Sequence, residues 1–212
     1  MQEYLVPCGY GEIELVEKRS TFTGRVFLVE TEEAAQAEIK KLREAYKDAN
    51  HHVFAYVIKE GAITRFSDDG EPRGTGGMPI LNVLTREKVE NILCVVTRYF
   101  GGTLLGAGGL TRAYGNAAKG ALDAAGIAVM RPWRNISCQI AYGQYDFLLD
   151  LLQHEGAVIV DTNFGEQVIM QLKIQESKAL ALEEKLIDST SGKITVQLQE
   201  ISLAPEARRE KA

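Results

Sequence analysis

Apolar and polar side chains alternate along the first third of the chain in a way that predicts strands and one helix. In four segments apolar positions recur in steps of two, as in strands. These segments lie at residues 13–18, 22–29, 53–59 and 63–66. A helix is expected over residues 31–47, because Thr31 is a good N-cap and an apolar stripe follows it at helical spacing. The stripe consists of Ala35, Ile39, Leu42 and Tyr46.

The middle of the chain predicts a central strand between two helices. Residues 92–97 begin with five consecutive apolar residues, ILCVV, which is typical of a buried strand. A short helix is expected over residues 79–86, since Pro79 suits a first turn, and a helix rich in small residues over 110–125. Gly126 is a suitable stop for the second helix. The succession predicts an α+β layer structure with helices on one face of the sheet.

Beyond residue 131 the pattern changes to βαββαβ, which is the ferredoxin-like arrangement. Strands are predicted at residues 136–141, 157–162, 168–174 and 194–198, and helices at residues 145–154 and 178–188. The chain is therefore expected to comprise an α+β domain at residues 1–133, a ferredoxin-like domain at 134–204 and a charged, loose tail at 205–212.

Composition limits the class of protein. The 212 residues are 45% hydrophobic and 25% charged, as in ordinary soluble domains. A formal net charge of -5 argues against indiscriminate coating of nucleic acid, so a nucleic-acid role needs a local basic patch. We expect neither a signal peptide nor a membrane span, because no basic start precedes an apolar run and no apolar run reaches membrane length.

Cysteine and histidine positions argue against a cofactor. Cys8, Cys94 and Cys138 are odd in number and scattered, which argues against disulfides and zinc and favours a reducing cytoplasm. His51 and His52 are adjacent, so on a strand they point to opposite faces and only one can face a shared site. The sequence contains no GxxxxGK[ST] phosphate loop. We therefore expect no metal, no other cofactor and a non-enzymatic role.

Glycine is concentrated in two loops on either side of the predicted central strand. Nine of the twenty glycines fall between Gly70 and Gly109. The second loop opens a helix, and the free N–H groups at the positive end of a helix suit an anion. The alternative is that these glycines only let the helix pack tightly on the sheet. In the first loop, residues 67–72 contain three carboxylates, which favours a polar turn or, alternatively, a divalent-cation site.

The candidate binding surface consists of charged, aromatic and glycine residues in and beside these loops. They are Asp68, Asp69, Glu71, Arg73, Arg98, Tyr99, Gly101, Gly102, Gly106, Gly108, Gly109, Arg112, Tyr114 and Lys119. Basic side chains supply charge for phosphates, aromatic rings stack on bases, and glycines expose backbone N–H groups. The expected ligand is RNA or the ribosome, with a phosphorylated small molecule as the alternative.

Two long motifs resemble a known family. The segments SDDGEPRGTGGMP and VVTRYFGGTLLGAGGLTRAYGNAA are similar to the signature of the IMPACT family, and the resemblance covers roughly residues 15–125. It implies an N-terminal domain similar to the second domain of ribosomal protein S five. It also implies a broad association with translation, and it supplies no agreed reaction. Together these expectations describe a cytoplasmic, translation-associated regulator that binds RNA or the ribosome through its glycine-rich loops.

Overall fold

The computed structural model describes residues 3–207, which divide into two units. The N-terminal unit comprises residues 4–129 with 205–207, and the C-terminal unit comprises residue 3 with 130–204. The division falls inside a strand that runs unbroken over Ile127–Ile140. The sequence pattern instead starts the second domain at residue 134. No helix within residues 3–207 is long and apolar enough to cross a membrane.

The N-terminal unit is built on a five-stranded antiparallel sheet with the order β2-β3-β6-β4-β5. Its elements are β1 (Tyr4–Pro7), β2 (Gly11–Glu17), β3 (Ser20–Leu28), α1 (Glu32–Ala45), β4 (His51–Ile58), β5 (Ile63–Ser67), α2 (Gly77–Glu87), β6 (Ile92–Tyr99) and α3 (Ala107–Ala125). Thr31 caps α1 as predicted, because its hydroxyl accepts the Ala34 N–H at 3.1 Å. The predicted central strand is confirmed as β6.

Helices cover both faces of this sheet. Ile92, Cys94 and Val96 of β6 pack with α2 and α3, whereas Leu93 and Val95 pack with α1. The prediction of helices on one face is therefore wrong, because α1 lies opposite the other two helices. A strand that is buried on both faces requires consecutive apolar residues, and the run ILCVV supplies them.

Close contact between α3 and the sheet depends on glycine. A Cβ at Gly24 of β3 would stand 2.4 Å from the carbonyl oxygen of Ala117. A Cβ at Gly11 of β2 would stand 2.3 Å from that of Ala121. Distances this short exclude any side chain, so the glycines and the small residues of α3 together bring helix and sheet into backbone contact. This contact fixes how α3 lies on the sheet, and the second glycine loop leads into this helix.

The elements that follow have the predicted order βαββαβ. They are β7 (Ile127–Ile140), α4 (Tyr145–Glu155), β8 (Val158–Phe164), β9 (Val168–Gln175), α5 (Glu176–Ser189) and β10 (Thr195–Ala207). The second sheet has the order β1-β7-β9-β8, and β10 also pairs with β7. Because β10 extends to Ala207, the prediction of a loose tail is wrong for residues 205–207. Residues 208–212 of that tail lie outside the described residues.

Candidate functional site

The candidate site begins with a row of three side chains at one end of the N-terminal sheet. Arg98 of β6 lies directly opposite Phe22 of β3 and His51 of β4. Successive side chains alternate between the faces of a strand, so this row shares the face of Val96, which packs against α2 and α3. The two glycine-rich loops connect this end of the sheet to the same two helices. The sheet therefore brings both predicted loops to one place.

Arg98 forms a buried ion pair with Glu71 of the first loop. Its Nη1 donates to Glu71 Oε1 at 2.5 Å, and the two side chains are only 6% and 3% exposed. The hydroxyl of Tyr114, on α3, donates to the same carboxylate oxygen at 2.7 Å. Burial, reinforced by this hydrogen bond, raises the pKa of Tyr114 above its ordinary value. The Nε–H of Arg98 has no acceptor among the described residues.

A cleft of about 410 Å³ opens above this ion pair. Its polar floor contains Arg98, Glu71 and His51. The rest of its lining is mostly apolar. Asn50 comes from the segment before β4, and both glycine loops and the start of α3 supply Pro72, Phe100, Leu104, Leu105, Gly106, Ala107 and Leu110. The rim includes Leu104, whose side chain is 82% exposed. The cleft thus combines an apolar wall with a few convergent polar groups, which is the usual composition of a ligand site.

His51 lines this cleft, and one of its ring nitrogens has no hydrogen-bond partner within residues 3–207. Its Nδ1 lies 2.8 Å from the carbonyl oxygen of Asp69 in the first loop. Its Nε2 is 3.8 Å from Glu71 Oε1, which is beyond hydrogen-bond distance. Sequence reasoning left His51 out of the candidate residues, although the strand rule allowed one of His51 and His52 to face a site shared with the loops. The pairing register, which places His51 opposite Arg98, decides between them.

The two aspartates of the first loop hold the backbone together. Asp68 accepts the N–H groups of Gly74 at 2.8 Å, Gly76 at 3.0 Å and Gly77 at 2.8 Å. Burial alone would raise the pKa of Asp68, but these three donors outweigh it and lower the pKa below its ordinary value. Asp68 therefore stabilises the turn, because its carboxylate is held by hydrogen bonds from the backbone of the same loop.

Asp69 joins the first loop to α1 and β4. Its carboxylate accepts from Arg43 at 2.5 Å and from the backbone N–H of His52 at 2.6 Å. The three carboxylates of residues 67–72 thus turn to three different sets of partners. Within residues 3–207, no group of three or more His, Cys, Asp or Glu side chains is arranged to hold a metal ion.

The glycines of the second loop have two different roles. Gly101 is needed for packing, because a Cβ there would stand 2.0 Å from the Arg19 carbonyl, and Gly109 lies close to Leu105, with 3.0 Å between an added Cβ and the leucine Cβ. By contrast, a Cβ at Gly102, Gly106 or Gly108 would meet nothing within 4 Å. Gly102 and Gly106 adopt φ values of 82° and 72°, which favour glycine.

Neither close packing nor a positive φ requires glycine at position 108. It lies in the first turn of α3 with helical backbone geometry and open space where a side chain would be. Glycine in a helix costs roughly 0.5–1 kcal/mol relative to alanine. Neither packing nor backbone geometry therefore accounts for glycine at position 108, and the same holds for Gly115 in the interior of this helix.

The N-terminus of α3 lies at the edge of the cleft, where Gly106 and Ala107 are part of its lining. No side chain caps this 19-residue helix, and its first turn contains no acidic residue. The first N–H groups of a helix have no partner within the helix. Together with the helix dipole, they make this end suitable for an anion.

Of the fourteen predicted residues, Glu71, Arg98 and Gly106 line the cleft, and the other eleven do not. Arg73 and Arg112 are exposed, and Arg73 is near enough to Asp68 to help lower the pKa of that carboxylate. Lys119 is paired with Glu87 at 3.6 Å and with Asp123, farther along α3. Tyr99 points to the other face of the sheet, where its hydroxyl donates to Asp48 at 3.1 Å.

The chain is similar to two described families over most of its length. Residues 18–122 match the Impact N-terminal domain, and residues 138–193 match a domain of unknown function (DUF1949). IMPACT family member YvyE of Bacillus subtilis is 33% identical over 198 residues, covering 93% of this chain and 91% of its own. An IMPACT family member of Haemophilus influenzae is 36% identical over 206 residues, covering 95% and 99%.

One solved structure is similar over nearly the whole chain. It is titled the crystal structure of a hypothetical protein, is 31% identical, and covers 94% of this chain and 98% of its own with a TM-score of 0.60. Mouse Protein IMPACT is 34% identical over 110 residues, which is 49% of this chain and 34% of the mouse protein.

Proposed function

The chain belongs to the IMPACT family, and from that premise we propose that it is a translation-associated, non-enzymatic protein that binds RNA through the cleft between its glycine loops. The association with translation rests on the family resemblance. The scattered, free cysteines support a cytoplasmic location for this role. Binding to RNA rests on the geometry of the cleft and of the helix that borders it.

The position of Gly108 beside the cleft is the single observation that carries the proposal, because Gly115 is equally open but lies farther along α3. A helical glycine with open space around its Cα is explained if another molecule approaches the backbone there. Its neighbours Gly106 and Ala107 line the cleft, and the uncapped N–H groups of α3 lie at the same place. A phosphate of an RNA backbone has the charge and the acceptor oxygens that this helix end favours.

Charge around the cleft is consistent with a phosphate-bearing ligand. The charge of Glu71 is balanced by Arg98 in direct contact, so it does not oppose an anion as a lone carboxylate would. Arg73 and Arg112 are exposed and close in sequence to the two loops, and Arg73 is near enough to Asp68 to help lower the pKa of that carboxylate. Such side chains provide local positive charge on a chain whose net charge is -5.

A matched pair of glycine substitutions tests the proposal. Gly108→Ala should raise helix stability by about 0.4–1 kcal/mol and lower RNA affinity about tenfold, as expected when one charge-assisted backbone contact is lost. Gly115→Ala is the control, because Gly115 lies in the same helix and likewise has nothing within 4 Å of an added Cβ. Fluorescence anisotropy with a labelled single-stranded RNA at low salt measures the affinity. Equal binding by both variants and wild type, or no binding by wild type, contradicts the proposal.

A phosphorylated small molecule remains the second candidate. The volume of about 410 Å³ lies within the range of pockets that enclose small ligands. Stabilisation by one nucleotide or sugar phosphate in a thermal-shift screen, without affinity for RNA, supports this candidate over the first.

We also propose finer fold assignments for both parts of the chain. For residues 134–204 we propose a ferredoxin-like domain, supported by the order βαββαβ and by the strand neighbours β10-β7-β9-β8. For residues 1–133 we propose a domain similar to the second domain of ribosomal protein S five, supported by the family resemblance.

A further inference from the structure

We propose that the cleft recognises ribose and discriminates against deoxyribose, because a ligand 2′-hydroxyl donates a hydrogen bond to Nε2 of His51. This inference rests on the proposed function, since it names the chemical class of the phosphate-bearing ligand. It uses polar groups in the floor of the cleft that the protein itself leaves without donors.

The tautomer of His51 follows from its contact with the first loop. A carbonyl oxygen only accepts, so Nδ1, at 2.8 Å from the carbonyl oxygen of Asp69, carries the proton of the neutral ring. Nε2 then has a lone pair and acts as an acceptor. Gly70 adopts a φ of 89°, which favours glycine where the loop turns beside this ring.

Glu71 supplies a second acceptor in the same floor. Its Oε1 accepts from both Arg98 and Tyr114, while its Oε2 has no hydrogen-bond partner among residues 3–207. The Glu71 side chain lines the cleft. The floor therefore offers acceptors to a ligand that brings donors.

The wall of the cleft offers hydrogen-bond donors, whereas the floor offers acceptors. Gly106 and Ala107 line it at the start of α3, where uncapped N–H groups favour an acidic acceptor. A ligand that satisfies both sides carries a phosphate and, close to it, a hydroxyl donor. A ribonucleotide unit has this combination, whereas a deoxyribonucleotide lacks the 2′-hydroxyl.

The inference is tested on the full-length protein with three oligonucleotides of one sequence. These are oligouridylate, its 2′-deoxy form and its 2′-O-methyl form, each of about ten nucleotides, which is enough to occupy a single-strand groove. Wild type should bind the first about tenfold more tightly than the second, as expected for one hydrogen bond to a buried acceptor. The 2′-O-methyl oxygen accepts but cannot donate, so that form should bind as weakly as the deoxy form.

Substitutions of His51 identify the acceptor. His51→Phe keeps a flat ring but removes Nε2, so the ratio of RNA affinity to DNA affinity should fall to about one. His51→Gln places an amide oxygen near the position of Nε2 and should restore part of the preference for RNA. If His51→Phe does not fold, the Gln variant and the 2′-O-methyl ligand still decide the question.

The outcomes separate this inference from the proposed function. Equal binding of RNA and DNA by wild type overturns the ribose inference and leaves phosphate binding in place. Tight binding of the 2′-O-methyl form also overturns it, because that ligand has no 2′ donor. If no oligonucleotide binds, a thermal-shift comparison of AMP with 2′-deoxy-AMP tests the same contact on a free nucleotide. Equal or absent stabilisation by these two overturns the inference together with the RNA proposal.

Discussion

The two faces of the N-terminal sheet each bury an arginine paired with a glutamate, yet only one pair lies in the proposed binding cleft. Arg98 and Arg25 are both 5% exposed, and both guanidinium groups lie over an aromatic ring. On the α1 face, Arg25 donates to Glu12 at 2.8 Å and to the hydroxyl of Thr97 at 3.3 Å. The Glu12 side chain is 43% exposed, whereas that of Glu71 is 3% exposed. The two pairs therefore differ in how far their acidic partner is withdrawn from water.

The adjacent histidines repeat this difference. Both ring nitrogens of His52 are occupied, one by Thr97 Oγ1 at 3.2 Å and the other by the Tyr46 carbonyl oxygen at 3.1 Å. His51 has one occupied nitrogen and one without a hydrogen-bond partner within residues 3–207. Polar groups on the α1 face are thus satisfied within the protein, while those on the other face retain unused hydrogen-bonding capacity. Unused capacity, more than charge or burial, distinguishes the candidate site from its structural counterpart.

The largest effect that tests this comparison comes from removing each glutamate. Glu71→Ala leaves Arg98 buried without its counter-ion and should destabilise the protein by about 3–5 kcal/mol. Glu12→Ala removes a partner that is largely in water and should cost no more than about 1 kcal/mol, because Arg25 keeps Thr97 and Tyr46. Urea unfolding of both variants measures the difference. Equal losses would mean that the two pairs are energetically alike and that the contrast between the faces is wrong.

A smaller effect is expected from removing a tyrosine hydroxyl on each face. Tyr114→Phe deletes a donor to the buried carboxylate of Glu71 and should cost about 1.5–3 kcal/mol. Tyr99→Phe deletes a donor to Asp48, which is exposed, and should change stability by less than about 0.5 kcal/mol. Thermal unfolding at neutral pH distinguishes the two. A Tyr114→Phe protein as stable as wild type would show that the carboxylate does not depend on this donor.

The sequence predicted much of the sheet because its signals are local. The apolar run of β6 and the Thr31 cap each express a physical requirement within a few residues, and the structure confirms both. The side of the sheet on which α1 packs is not local, because it depends on which strands become neighbours. The apolar run already indicated burial on both faces, but it did not say which helix covers which face.

The candidate site was predictable in outline and less so in detail. Both glycine loops border one cleft, but a sequence does not tell which glycine is needed for packing, as Gly101 is, and which is open, as Gly108 is. Arg98 illustrates a second limit. Its place in a signature loop predicts a ligand contact, while its burial against Glu71 means that an alanine there would also destabilise the fold. Exposure and pairing depend on the whole fold, so they separate these roles only in three dimensions.

The smallest expected effect concerns the pH dependence that His52 adds to stability. Burial lowers the pKa of His52 below its ordinary value of 6.5, and the hydrogen bond to the Tyr46 carbonyl offsets only part of this. The unfolded chain therefore binds a proton at a pH at which the folded chain does not. Stability due to this group is complete above about pH 6.5 and falls as the pH drops toward the lowered pKa of the folded state.

Replacing His52 should remove its contribution to the change of the unfolding free energy with pH. His52→Gln lacks the titrating ring, so its urea unfolding free energy should vary less than that of wild type between about pH 5 and 6.5. His51→Gln leaves both contacts of His52 in place and should keep the slope that His52 contributes. An unchanged slope in His52→Gln would show that the ring is not held neutral. The α1 face would then differ less from the cleft in its unused hydrogen-bonding capacity than the contacts of the two histidines indicate.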